Sequence, residues 1–386
     1  MKVKFNIKKL FLLLLSAACI VACLEEYVPP IVENDENILV VEGNIGDTKT
    51  SVRLSRTTNL GVNALIPEIN ARVILEDESQ SIQYDLSEKE FGLYEDSITI
   101  ELDRKYRIRI LTGNDQEFVS DALDVIRTPE IDSVGWDATS DGLQIHISTH
   151  DDNNNTRYYL WSYEETYFYR SRYASYYIYE NEDMRGRTNE EQINGCWKTN
   201  NSTNIIAGST IQLAQDLVYK FPIHFIIPSE NVKLARKYSI KVTQRAISKE
   251  YFEFWDLLKQ NSEDLGSFFD PQPSQLTSNI NPVNNEDGKV LGFIGASTLK
   301  EERIFIDRLD LPYNNIPNFS IGFCVPDTIL NNPDSLRDFF ASGFNLPTLA
   351  LTGFTGNITH YIGASKSCVD CRLEGGTTDR PLFWEN

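Results

Sequence analysis

Apolar and polar residues alternate with period two in several short runs along the chain, and only once do they fall into helical spacing. Ile38-Leu39-Val40-Val41 is the first apolar run. Val52 and Leu54 then alternate with Arg53 and Ser55, and Tyr106, Ile108 and Ile110 alternate with Arg107 and Arg109. Successive side chains on a strand point to opposite faces, so such runs turn one set inward and the other to solvent. Gly43-Asn44 and Gly113-Asn114-Asp115 separate the runs with residues that accept turn conformations. Residues 38–128 therefore predict a small antiparallel sandwich of about seven strands, with a boundary at Thr128-Pro129.

The same alternation continues across residues 129–386. Leu143, Ile145 and Ile147 interleave with Gln144, His146 and Ser148; Tyr238, Ile240 and Val242 interleave with Ser239, Lys241 and Thr243. One segment, residues 249–260, departs from it. Ser248 can cap a helix there, Glu250 sits near the positive end of the helix dipole, and Tyr251, Phe254, Trp255 and Leu258 form one apolar stripe. Phe268-Phe269-Asp270-Pro271-Gln272-Pro273 reads as an ordered loop, Asn284 to Gly288 as a turn, and Val290 to Ala296 as a strand. From Pro312 onward, prolines and asparagines interrupt the pattern and predict an irregular tail. The expected fold class is all-β: two immunoglobulin-like β-sandwich domains, one helix inserted in the second, and a disulfide-stapled C-terminal tail.

The N-terminus adds an address. Lys2, Lys4, Lys8 and Lys9 precede the apolar stretch Leu10 to Leu15, which is too short to span a bilayer. Ile20-Val21-Ala22 then leads to Cys23 in a pattern that resembles a bacterial lipobox. Residues 1–22 are expected to be a signal peptide and Cys23 the thiol that takes the lipid; the competing reading is a plain secretory leader. Cleavage at Cys19 is disfavoured because Ser16 stands where an aliphatic residue is expected. Removal of the leader takes four lysines from 36 basic residues and no acids, so 32 basic face 56 acidic and the net charge moves from −20 to −24. Such an acidic chain argues against nucleic acid as partner. Residues 23–37 hold Pro29 and Pro30 and no periodicity, and read as a tether. Its fourteen residues beyond Cys23 reach roughly 46 Å when extended.

A series of short motifs points to a family. Leu39-Val40-Val41-Glu42-Gly43 opens it. Ser248-Lys249-Glu250-Tyr251-Phe252-Glu253-Phe254-Trp255, Phe269-Asp270-Pro271, Ser278-Asn279-Ile280, Val290-Leu291-Gly292-Phe293 and Cys368-Val369-Asp370-Cys371-Arg372 follow in order, ending on Phe383-Trp384. Together with the leader, this order resembles a Bacteroidota lipoprotein family catalogued as domain of unknown function four-two-four-nine. Its members are typically encoded beside a TonB-dependent outer-membrane receptor. The resemblance implies a membrane-anchored accessory or substrate-capture subunit of a nutrient receptor, with the cargo undefined. Leu24-Glu25-Glu26 also resembles the signal that takes such lipoproteins to the outer face of the outer membrane.

Candidate chemistry is sparse. Cys196, Cys324, Cys368 and Cys371 suit structural disulfides in an exported protein, and four thiols allow three full pairings. Cys368-x-x-Cys371 also has the spacing of a redox dithiol or half a zinc site, but lies outside the strand-to-helix context that redox chemistry needs. Residues 158–179 hold nine of the eighteen tyrosines. Trp161, Tyr163, Tyr167, Tyr169 and Tyr173 there suit either a sandwich core or a platform for a ligand or partner. His146 and His150 would face the same way on a strand but too far apart to share an ion, and Asp151 to Asn155 reads as a solvated turn. No nucleophile elbow, phosphate loop or zincin helix occurs, so neither catalysis, metal nor cofactor is expected. The alternatives to a receptor subunit are a free-standing glycan- or peptide-binding adhesin and a surface hydrolase.

Overall fold

The computed structural model describes residues 37–58, 65–230, 232–262, 277–284, 288–319 and 323–384. The leader, Cys23, the tether up to residue 36 and the Phe268–Pro273 loop lie outside them.

In the first sandwich, strands Leu39–Ile45, Thr50–Arg56, Leu93–Asp96 and Glu88–Glu90 form one sheet. Strands Glu117–Ser120, Lys105–Leu111, Arg72–Asp77 and Gln83–Leu86 form the other. The alternation places the inward set as expected: Val52, Leu54, Tyr106, Ile108 and Ile110 are all buried in one core. Each sheet is then extended from far along the chain. Strand Val290–Ala296 pairs in parallel with Leu39–Ile45, and Ile280–Pro282 pairs with Glu117–Ser120. Strands Ile280–Pro282 and Val290–Ala296, which periodicity alone groups with the second domain, thus complete the sheets of the first. Local alternation reports which face is buried but not which partner strand is chosen.

Gly292 lies in the middle of that parallel pair, opposite Val41, at φ +115. A Cβ there would run into the Val41 carbonyl oxygen. Gly292→Ala is expected to lower stability by roughly 1–3 kcal/mol, read as a lower midpoint in urea; an unchanged midpoint would show that the pairing yields.

The second sandwich packs strands Ile131–Ala138, Leu143–Asp151 and Asp216–Ile226 against Gly195–Asn201, Tyr158–Arg170, Lys237–Ala246 and Lys300–Asp307. Leu143, Ile145 and Ile147 meet Tyr238, Ile240 and Val242 in its core. The helix runs Lys249–Ser262, with Ser248 Oγ accepting from the Tyr251 N–H at 3.1 Å. Its apolar stripe joins the two sandwiches. Tyr251 stacks on Phe293 of the first at 4.8 Å, and Phe252 meets Tyr158 of the second at 5.1 Å. Each well-buried aromatic on this stripe contributes about 1.5–3 kcal/mol.

The tail is more regular than its composition suggests. Strands Asp327–Leu330, Ile358–Ser365 and Asn345–Thr352 form a sheet, and Pro333–Phe340 a short helix. The prolines punctuate rather than break it. Pro333 opens the helix behind Asn332, whose side chain accepts from the Ser335 N–H, and Pro347 sits where the strand register shifts. Two disulfides, Cys196–Cys371 and Cys324–Cys368, hold this region.

Candidate functional site

A cleft of about 1050 Å³ separates the outward faces of the two sandwiches, and the helix closes one side of it. On the first wall, Glu42 and Arg53 are directly opposite each other across strands Leu39–Ile45 and Thr50–Arg56, as are Asn44 and Ser51. They occupy the polar positions of the alternation whose apolar partners fill the core. On the second wall, Leu160 and Arg245 are opposite each other across strands Tyr158–Arg170 and Lys237–Ala246. Tyr251, Phe254, Trp255 and Leu258 form the helical wall, and Ser202, Thr203 and Asn204 the polar rim.

The charges in the cleft are poorly matched. Burial pushes the Glu42 carboxyl up, and Arg53 pulls it back. Burial pushes the Arg245 guanidinium down, with Tyr251 and Glu301 opposing. Arg245 Nε is buried and has no hydrogen-bond partner among the described residues. Glu95, also on the lining, is taken by Lys49 at 2.7 Å. The arrangement suits binding: a guanidinium and a carboxyl on facing walls, beside an aromatic side.

A second polar cluster lies inside the second sandwich. Glu165 accepts from Tyr238 Oη at 2.9 Å and Asn200 Nδ2 at 3.0 Å, pairs with Lys233 Nζ at 2.6 Å, and has His224 Nε2 at 3.5 Å. Tyr163 Oη meets the other nitrogen of His224 at 2.9 Å. Burial pushes the Glu165 carboxyl up, but these partners outweigh it and hold it down at about 2. Glu165 and Tyr238 are buried and Lys233, His224, Asn200 and Tyr163 half-buried, so the network ties neighbouring strands together around a buried carboxylate.

Of the aromatic residues named from sequence, Trp161, Tyr167 and Tyr169 belong to the core of the second sandwich, and Trp161 also lines the cleft. Trp161, Tyr167 and Tyr169 are 2%, 7% and 1% exposed, on the inward positions of strand Tyr158–Arg170. Trp161 Nε1 donates to Gln244 Oε1 at 2.9 Å and Tyr169 Oη to the Cys371 carbonyl at 2.6 Å. Tyr163 and Tyr173 are half-buried, and Tyr173 Oη donates to the Cys324 carbonyl. Thirteen residues of strand bury one face, which is where period-two aromatics go. Cys368 and Cys371 do not close on each other; each bridges to a distant cysteine. His146, which is buried, has Asp137 at 3.3 Å, and His150, on the surface, has Asp132 at 2.7 Å, as separate pairs. Asp151 Oδ2 accepts from the Asn155 and Thr156 N–H groups, closing the turn on itself. Glu42, Arg53 and Arg245 carried no sequence signal. Each is one polar residue in an alternating strand, and only the long-range pairing brings them to one cleft.

A family model described as "Domain of unknown function (DUF4249)" matches residues 24–303. No curated protein is similar enough to match. Among solved structures, the chain resembles the FN1–FN3 domains of chicken CNTN1 at 9% identity and TM-score 0.19, over 54% of this chain and 62% of that one. It resembles a cycloalternan-degrading enzyme from Trueperella pyogenes at 9% identity and TM-score 0.15, over 68% of this chain and 31% of that one. A carbohydrate-binding candidate from Bacteroides uniformis matches at 9% identity and TM-score 0.13, over 55% and 91%. Likenesses this faint carry no argument about function.

Proposed function

The chain belongs to the DUF4249 family, and from that premise we propose that it is a non-catalytic lipoprotein of the outer-membrane surface, an accessory subunit that captures substrate for a TonB-dependent receptor. The observation that carries the reading is a count of thiols. Of six cysteines, Cys196, Cys371, Cys324 and Cys368 pair with one another. Disulfides of this kind persist in oxidising compartments, which supports export. Cys19 falls within the leader, so Cys23 is left as an odd thiol with no cysteine partner, at the position where the lipobox-like pattern would place a lipid. The receptor partnership rests on what the family resemblance implies. The lipid would hold the sandwiches near the barrel mouth at high effective concentration. Strand Asp216–Ile226 ends its sheet with Leu217 and Tyr219 outward, and offers a partner both backbone and apolar side chains.

Labelling cells with a palmitate analogue is expected to mark the wild type and not Cys23→Ala, which leaves the membrane fraction. Mass spectrometry is expected to find an acylated peptide beginning at Cys23; an unmodified or uncut N-terminus would overturn the proposal. Cross-linking in intact outer membranes is expected to recover a TonB-dependent barrel, and recovery of none sinks the receptor role.

A further inference from the structure

The cleft between the sandwiches is lined by a half-buried cation, Arg245, whose Nε no described residue accepts from, and we infer that the cleft binds a small organic monoanion, a carboxylate joined to an apolar body. The inference deepens the capture role proposed above, and its test does not depend on that role.

Arg245 carries the argument. Its Nε is buried with no hydrogen-bond partner among the described residues. A buried guanidinium nitrogen left without an acceptor costs free energy that an acceptor entering the cleft would recover. The carboxylate that opposes its burial, Glu301, is already held by Lys241 at 3.0 Å and Thr243 at 2.9 Å. The chain has 56 acidic residues against 36 basic ones, yet no described carboxylate accepts a hydrogen bond from Arg245 Nε. A planar guanidinium takes a carboxylate in a two-point fork that a neutral amide cannot match.

The rest of the cleft narrows the class. Tyr251, Phe254, Trp255 and Leu258 offer an apolar wall beside the cation, which calls for an apolar body of matching size. Ser202, Thr203 and Asn204 at the rim add hydroxyl and amide groups for orientation. Arg53 is a second guanidinium on the facing wall, but Glu42 stands opposite it across the strands. That carboxyl repels a second or third negative charge, so a polyphosphate fits poorly and a monocarboxylate fits well. The volume, about 1050 Å³, is that of a small-molecule site rather than of a protein interface.

The test uses the purified mature protein and two probes of matched size that differ only in the head group, the carboxylate of 4-phenylbutyrate against the neutral amide of 4-phenylbutanamide, followed by isothermal titration. The acid is expected to bind at least about tenfold more tightly than the amide. Arg245→Met is expected to erase that preference and leave amide binding within about twofold, because the aromatic wall is intact. The same variant is expected to melt above the wild type, since it removes a charge the fold does not compensate. A purely structural arginine would lower the melting temperature. Trp255→Ala is expected to weaken both probes together. Equal affinities, no binding of the acid, an unchanged preference in Arg245→Met, or a lower melting temperature for that variant would each overturn the site. A failure to recover a receptor leaves these titrations standing, so the two readings fail separately.

Discussion

Replacing Cys196 and Cys371 together by serine is expected to cost the folded protein about 5 kcal/mol, and replacing Cys324 and Cys368 about 4 kcal/mol. The difference follows from the loops closed, with sequence separations of 175 and 44 residues. A cross-link stabilises chiefly by restricting the unfolded chain, and the restriction grows with the logarithm of loop length. The longer bond also has more to hold. It ties the segment after residue 365 to strand Gly195–Asn201, and beside it Tyr169 Oη and Ser171 Oγ, at the end of the neighbouring strand, donate to the Cys371 and Val369 carbonyls. Thr377 then pairs with Trp197, and Trp384 packs on Trp197 and Phe305. Equilibrium unfolding in guanidinium without reductant would rank the two double variants. Limited proteolysis should cut first in the tail of the Cys196/Cys371 variant. If the Cys324/Cys368 pair proved the costlier one, native-state contacts rather than chain entropy would dominate.

How much of this was legible in sequence depends on the range over which the cause acts. Val52, Leu54, Ile108, Ile145 and Ile240 are buried because a strand's faces alternate, and that is a local rule. The helix was equally legible: Ser248 caps it and Tyr251 and Phe254 are buried as the stripe predicts. The short helix after Asn332-Pro333 had its signal, an N-cap residue followed by proline, and the surrounding prolines obscured it. The parallel pairing of Val290–Ala296 with Leu39–Ile45 had no local signal. Both strands read as apolar runs, and the choice of partner is made by the whole core. The cleft inherits that illegibility, since Glu42 and Arg245 come together only through that pairing and the helix that bridges it. In the tyrosine-rich stretch, composition left core and platform both open, and the period of two buries Trp161, Tyr167 and Tyr169 in the core.

Glu165 sets the second large expectation. Glu165→Leu is expected to destabilise the protein by about 3–5 kcal/mol, because it removes the buried carboxylate that pairs with Lys233 and accepts from Tyr238 Oη and Asn200 Nδ2. Leu at 165 with Met at 233 should recover much of that loss, since an apolar pair of similar volume needs no compensation. The wild type carries a pH signature of the same network. With the Glu165 carboxyl held at about 2 in the fold against about 4.5 unfolded, its contribution is fully present above about pH 5. It is lost as the pH falls toward 2, to the extent of about 3 kcal/mol. Stability measured by urea titration from pH 6 to pH 2 should therefore fall more steeply in the wild type than in the Leu/Met double variant. Equal slopes would mean that the carboxylate draws no net stabilisation from His224, Lys233 and Asn200. In that case the network would serve to select this strand pairing over others rather than to strengthen it, and the double variant would show it by losing uniqueness of fold, visible as broadened amide resonances, without losing stability.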